Sequence, residues 1–181
     1  RETRSQFDLH EIKGLVLAAG KKGKKVMVHA NGYLPVKLAL EAGCHSIEHG
    51  YFMGRENLQR MAEKETVWVP TVYTMKGYAE NFDPRKSKGD LQVISKTMEH
   101  QLEQMAIARE LGVTLALGTD AGSLGVLHGE SMAEEMKLYK SAGFSLPERV
   151  RCATYNGARL LGVDKEMGLL QPGRPANFLV T

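Results

Sequence analysis

Three side chains that can bind a metal ion lie at or near the ends of short apolar segments. His29 lies near the end of KVMVHA, His49 ends SIEH, and Asp120 follows VTLALGT. Two imidazoles and a carboxylate suit Zn, with Mn or Fe as alternatives, and leave coordination positions open for water. We predict that Asp120 is both a metal ligand and the proton acceptor for a water acidified by the ion.

This prediction requires elements that bring the three side chains together. Apolar runs and helical periodicity alternate along the chain. Strands are predicted at 25–30, 46–49, 66–71 and 114–118, and helices at 9–19, 34–42, 55–64, 91–111, 129–142, 147–152 and 156–161. The alternation predicts an α/β fold with a parallel sheet, either open and doubly wound or half of an eightfold barrel. Ligands bind at the carboxyl ends of the strands in both architectures.

Four further features of the sequence give specific expectations. Residues 72–90 contain Gly77, Pro84 and Gly89 and predict a long functional loop, while the Pro-Gly turn in residues 168–181 predicts a hairpin-like tail. Strand alternation predicts that Glu48 faces the helices if His49 faces the site. His128, in the loop after the fourth strand, is expected either to bind substrate or to cap the next helix.

The composition limits the possible partners and location. The chain has 181 residues, of which 43% are hydrophobic and 25% charged, with a formal charge of +3. The basic run KKGKK at 21–25 has no interleaved aromatic residues, so we interpret it as a solvated turn and predict no nucleic-acid partner. No apolar stretch reaches the roughly 18 residues of a membrane span. Cys44 and Cys152 form no CxxC pair, and we predict a cytoplasmic protein without disulfides.

An ordered set of fragments resembles a known family. These fragments are HANG, AGCHSIEHG, VPT, LGTDAGS, HGE, ATYNGARLLG and GLLQPGRPAN. Together they resemble the C-terminal half of the amidohydrolase superfamily, in particular its imidazolonepropionase-like and Xaa-Pro dipeptidase-like branch. The resemblance implies strands five to eight of a (β/α)8 TIM barrel over residues 1–164, followed by the start of a β-sandwich strand pair over 165–181.

The resemblance also implies roles for individual residues. His29 and His49 would be metal-binding histidines, and Asp120 a metal ligand and general base. The activated water would attack an amide or related C–N bond of a dipeptide, an N-acyl amino acid or a cyclic amide. The residues implied to line the substrate pocket are His128, Tyr73 and Tyr33.

The family's His-x-His motif of strand one and its strand-four lysine or glutamate are not in this sequence. The resemblance therefore implies a partner, either the missing N-terminal half-barrel or a second copy of the chain, without which the piece would be inactive. The alternative hypothesis is a non-catalytic half-barrel module for interaction or assembly that binds at most one metal ion.

Overall fold

The computed structural model describes residues 4–81 and 88–178, with the side chains of 88 and 89 left out. Its strands are β1 (Met27–Ala30), β2 (Ser46–His49) and β3 (Val67–Val69). Its helices are α1 (Leu9–Gly20), α2 (Tyr33–Ala42), α3 (Arg55–Glu63), α4 (Tyr73–Glu80), α5 (Lys88–Glu110), α6 (Glu130–Ser141), α7 (Leu146–Arg151) and α8 (Gly157–Leu161), with a π-helical turn at Cys152–Asn156.

The three strands form one parallel sheet in the order β1-β2-β3. This confirms the predicted α/β fold with parallel strands. The predicted fourth strand, 114–118, contributes a single parallel bridge in which Leu115 pairs with Trp68. Two hydrogen bonds flank it, from the Trp68 amide to the Thr114 carbonyl and from the Ala116 amide to the Trp68 carbonyl, both 2.9 Å long.

One face of the sheet forms the core against the helices. Ile47 of β2 and Trp68 of β3 are fully buried there, together with Leu40 of α2 and Met105 of α5. Burying aliphatic and aromatic side chains contributes about 1.5–3 kcal/mol each, so this face supplies much of the stability.

The opposite face of the sheet carries the polar residues of the strands. The parallel register pairs Met27 with Ser46 and His29 with Glu48, and partners in neighbouring strands point to the same side. Met27 is 58% exposed, so this face is open at β1.

The prediction of a long loop at 72–90 is wrong for most of the residues that the structure describes there. Helix α4 occupies Tyr73–Glu80, and α5 begins at Lys88; positions 82–87, including Pro84, lie outside the described residues. Gly77 lies inside α4, at a position where the backbone of another segment leaves no room for a side chain. A Cβ built there would lie 2.8 Å from the Leu124 carbonyl oxygen.

The predicted hairpin-like tail does not form in residues 168–178, which contain no strand; positions 179–181 lie outside the described part. An isolated strand pair is marginal in water without further strands or a helix to pack on. None of the helices in 4–81 and 88–178 combines the length and apolar character needed to cross a membrane.

Candidate functional site

His29 and His49 meet at the carboxyl ends of two adjacent strands. Because β1 and β2 are parallel and Ala30 pairs with His49, both strands end at the same edge. His29 Nδ1 lies 2.7 Å from His49 Nε2, and the ring centroids are 4.9 Å apart. Two residues distant in sequence thus place ring nitrogens at one point.

The backbone of His49 is left-handed, with φ = 65°. This conformation ends the strand alternation, so the prediction that Glu48 faces the helices is wrong. Glu48 is buried on the same side as His29 and accepts a 2.6 Å hydrogen bond from Ser46 Oγ. Burial raises the pKa of Glu48. The hydrogen bond from Ser46 and the charge of His29 act in the opposite direction and reduce this increase.

Three groups from outside β2 hold His49 in this conformation. Its carbonyl accepts hydrogen bonds from Trp68 Nε1, at 2.9 Å, and from Gln101 Nε2 on α5. Its Nδ1 lies 2.7 Å from Thr71 Oγ1. The next residue, Gly50, also has positive φ, and a Cβ there would lie 2.7 Å from Nε1 of the fully buried Trp68. The turn therefore requires glycine at position 50.

The surroundings of His49 favour a neutral ring. Burial lowers its pKa, the neighbouring His29 lowers it further, and the charge of Asp120 acts in the opposite direction. Neutral imidazole is the form that binds metal ions, so the environment suits a ligand.

Asp120 lies close enough to exert its charge on His49, Glu48 and Tyr51. It also has left-handed backbone, with φ = 54°, and its exposed carboxylate accepts a 2.9 Å hydrogen bond from Ser123 Oγ. Within the described residues, no three His, Cys, Asp or Glu side chains are grouped as a metal site. Ligation and proton transfer by Asp120 therefore stay predictions.

The three predicted substrate-binding residues lie in different environments. His128 is exposed, and because the N-cap of α6 is Gly129 with no side-chain hydrogen bond, His128 does not cap that helix. Tyr33 is 42% exposed and its hydroxyl contacts Glu56 Oε2 at 2.5 Å. Tyr73 is only 9% exposed, with Lys76 Nζ 5.5 Å from its ring centroid.

Several residues that support the site have no recognisable signal in the sequence. Tyr51 donates to the Thr71 carbonyl at 3.1 Å, and burial raises the pKa of Tyr51 to about 12. Gln101 and Glu135 come from helices far along the chain. Among these residues, only Thr71 belongs to a fragment that resembles the family, VPT. A threonine in that fragment does not by itself indicate a contact with His49.

The two histidines fit a divalent metal ion. A metal-binding histidine usually donates its other ring N–H to an oxygen, which fixes the ring and its tautomer. Thr71 Oγ1 offers that oxygen to His49 Nδ1, while Nε2 points at His29. The donor set in place is thus two imidazoles, with the Asp120 carboxylate nearby.

Comparison with known proteins gives consistent matches along the chain. Ochratoxinase of Aspergillus niger is 27% identical over 177 residues, which cover 97% of this chain and 36% of that protein. Imidazolonepropionase of Porphyromonas gingivalis is 25% identical over 179 residues, which cover 96% of this chain and 37% of that protein.

A solved Xaa-Pro dipeptidase with methionine in its active site matches with a TM-score of 0.83 and 30% identity, covering 97% of this chain and 43% of that one. The chain thus spans less than half the length of these relatives. They confirm the resemblance to the imidazolonepropionase-like and Xaa-Pro dipeptidase-like proteins. The amidohydrolase family profile matches residues 2–181, and the chain belongs to the amidohydrolase family.

Proposed function

We propose that this chain is part of a metal-dependent amidohydrolase that cleaves an amide or related C–N bond with an activated water. The observation that carries the proposal is the 2.7 Å approach of His29 Nδ1 to His49 Nε2 at the ends of parallel strands. Members of this family generally use divalent metal ions. Zn is the first candidate because it accepts imidazole and carboxylate ligands; Mn and Fe are alternatives.

Each predicted residue has a defined task in this proposal. His29 and His49 hold the ion, which when bound polarises the substrate carbonyl and lowers the pKa of a water molecule. Asp120 completes the ligand set and accepts the proton of the attacking water. Its exposed carboxylate, linked to Ser123, lies where it acts on the pKa of His49. His128, Tyr33 and Tyr73 are the proposed substrate-contacting residues.

The proposed substrate is a small amide, either a dipeptide, an N-acyl amino acid or a cyclic amide. The match to a Xaa-Pro dipeptidase favours dipeptides as the first substrates to test. We further propose that the open face of the sheet, where Met27 is exposed, packs against an N-terminal half-barrel or a second copy of the chain.

A non-catalytic role in assembly is the second candidate. It is favoured by one observation, that the sheet presents an open face at β1, where Met27 is 58% exposed. In that case the two histidines bind at most one ion, and no substrate is turned over.

The two candidates are separated by metal analysis and hydrolysis assays on the full-length protein. We expect bound zinc and hydrolysis of at least one member of an Xaa-Pro dipeptide and N-acyl amino acid panel. His29→Ala and His49→Ala should lose zinc and reduce kcat/KM at least about 10³-fold. Asp120→Asn should lower kcat more than it weakens zinc binding.

His10→Ala is the matched control, since His10 is an exposed histidine on α1. It should behave as the unmodified protein. Zinc binding without any turnover would favour the assembly role. Zinc content unchanged by both His29→Ala and His49→Ala would contradict the proposed site.

A further inference from the structure

Glu135, on α6, is a fully buried carboxylate with two specific hydrogen bonds. Its exposed fraction is 0%, and its two oxygens accept the backbone N–H groups of Val72, at 2.9 Å, and Tyr73, at 2.6 Å. These N–H groups belong to the start of α4, whose N-cap, Val72, has no side chain that could cap the helix. Glu135 therefore supplies the cap from another helix.

The residue just before this cap is Thr71, which contacts the candidate metal site. Thr71 has left-handed backbone, with φ = 46°, an unfavourable conformation for a β-branched residue. Its carbonyl accepts hydrogen bonds from Tyr51 Oη, at 3.1 Å, and Thr74 Oγ1, at 2.8 Å. Its own Oγ1 lies 2.7 Å from His49 Nδ1.

We propose that Glu135 is a positioning residue that acts through Thr71 on His49. By fixing the Val72 and Tyr73 amides it holds Thr71 Oγ1 where it accepts the Nδ1–H of His49. The His49 ring then keeps Nε2 unprotonated and directed toward His29. The inference rests on the proposed function, because that tautomer matters only if Nε2 binds a metal ion.

The geometry requires two acceptor oxygens at position 135. Two N–H donors need two acceptor atoms, and a carboxylate provides both. Glutamine has one acceptor, and its NH₂ group would face one of the two amides. Glu135→Gln therefore loses one hydrogen bond and leaves a buried donor unpaired, with little change in volume.

The hydrogen bond from His49 Nδ1–H to Thr71 Oγ1 is tested first, in the full-length, metal-free protein. The ring ¹⁵N chemical shifts of His49, assigned with a His49→Gln variant, report which ring nitrogen carries the proton. We expect the Nδ1–H tautomer in the unmodified protein. Thr71→Val should convert it to a mixture or to the Nε2–H tautomer, whereas Thr71→Ser, which retains Oγ, should preserve it.

The role of Glu135 is tested by the same spectra and by zinc affinity, measured by competition with a chromophoric chelator. Glu135→Gln should increase the share of the Nε2–H tautomer of His49, as Thr71→Val does. Both variants should bind zinc about 10- to 100-fold more weakly, as is usual when the hydrogen-bond partner of a ligand is lost.

The matched control is Glu134→Gln. Glu134 also joins α6 to α4, through a 2.8 Å bond from Lys76 Nζ, but it does not contact the Val72 and Tyr73 amides. This variant should keep the tautomer and the zinc affinity of the unmodified protein.

An Nε2–H tautomer in the unmodified metal-free protein would overturn the inference, whether or not Glu135→Gln folds. A folded Glu135→Gln protein with unchanged tautomer and zinc affinity would also overturn it, while leaving the proposed function intact. If instead the tautomer responds as expected but the protein binds neither zinc nor manganese nor iron, the positioning stands and the proposed function fails.

Discussion

The two ends of the candidate site are built differently. At the end of β2, His49 is held by Trp68 of β3, Thr71 just after β3 and Gln101 of α5, which lie 19 to 52 positions away along the chain. After the fourth strand segment, Asp120 has equally unusual backbone, yet its carboxylate and its carbonyl both accept hydrogen bonds from Ser123, only three residues away. The histidine end is fixed by tertiary contacts, while the aspartate end depends on a local turn. We therefore expect substitutions at the first end to cost much more stability than those at the second.

The largest contrast should come from a pair of glycine-to-alanine substitutions. In Gly50→Ala the added Cβ would lie 2.5 Å from the Met53 methyl carbon and 2.7 Å from Trp68 Nε1, whereas Gly122→Ala meets nothing within 4 Å. Both positions have positive φ, 65° at Gly50 and 110° at Gly122, so both variants carry backbone strain of about 1–2 kcal/mol. Only Gly50→Ala adds a clash, and we expect a total loss of about 3 kcal/mol or more.

Urea unfolding followed by circular dichroism would measure both losses. Equal losses for Gly50→Ala and Gly122→Ala would contradict the proposed difference between the two ends.

The pH dependence of stability should reveal the buried carboxyl that supports the histidine end. Burial raises the pKa of Glu135 from 4.5 to about 7, opposed by the hydrogen bonds from Tyr73 and Val72. Because the folded pKa is raised, this group's contribution is fully present below pH 4.5 and is lost as pH rises through about 7. The loss amounts to at most about 3 kcal/mol.

Urea unfolding of the unmodified protein and Glu135→Gln between pH 4.5 and 8 would test this. The stability of the unmodified protein relative to the variant should fall across this range. A constant difference would show that Glu135 does not titrate there.

A smaller effect is expected when one donor to the His49 carbonyl is removed. Gln101→Leu leaves Trp68 Nε1 on that carbonyl but also deprives Gln104 Nε2 of its bond to Gln101 Oε1. We expect a loss of about 1–2 kcal/mol, because the Pro70 carbonyl and Gln104 Nε2 each lose a buried hydrogen bond to Gln101. Gln104→Leu is the comparison variant, since Gln104 donates to the Gly50 carbonyl instead. Zinc affinity should fall more in Gln101→Leu than in Gln104→Leu; the opposite order would contradict a specific role of Gln101 at His49.

The smallest effect should be that of Ser123→Ala at the aspartate end. Ser123 Oγ donates to an exposed carboxylate, so water can replace it, and we expect a change within about 0.5 kcal/mol. Thermal unfolding would detect a larger change. A loss as great as that of Gln101→Leu would show that the Asp120 turn is as firmly fixed as the His49 turn.

The sequence predicted the elements whose signals are local. β2 has the predicted bounds, and α3 and α6 agree within a residue, because short β-branched strands and amphipathic helices with glycine boundaries are visible in sequence. Helix α4 was missed for a physical reason. Its cap comes from Glu135, about sixty positions away, and its Gly77 serves packing against Leu124.

The site was predictable only in part. Strand-end position correctly indicated that His29 and His49 lie together. The orientation of Glu48 was missed, because the left-handed backbone at His49 is imposed by tertiary hydrogen bonds, and non-glycine residues rarely adopt it. Thr71, Gln101 and Glu135 carry no sequence pattern that distinguishes them from ordinary polar residues, since their roles arise only from the packing of α4, α5 and α6.

The central claim is that the two histidines hold one metal ion at the carboxyl ends of β1 and β2. The most direct test is a crystal structure of the zinc-loaded, full-length protein with an anomalous difference map at the zinc absorption edge. We predict a peak within about 2.1 Å of one ring nitrogen of His29 and one of His49. A zinc peak elsewhere, with both rings still hydrogen-bonded to each other, would contradict the account.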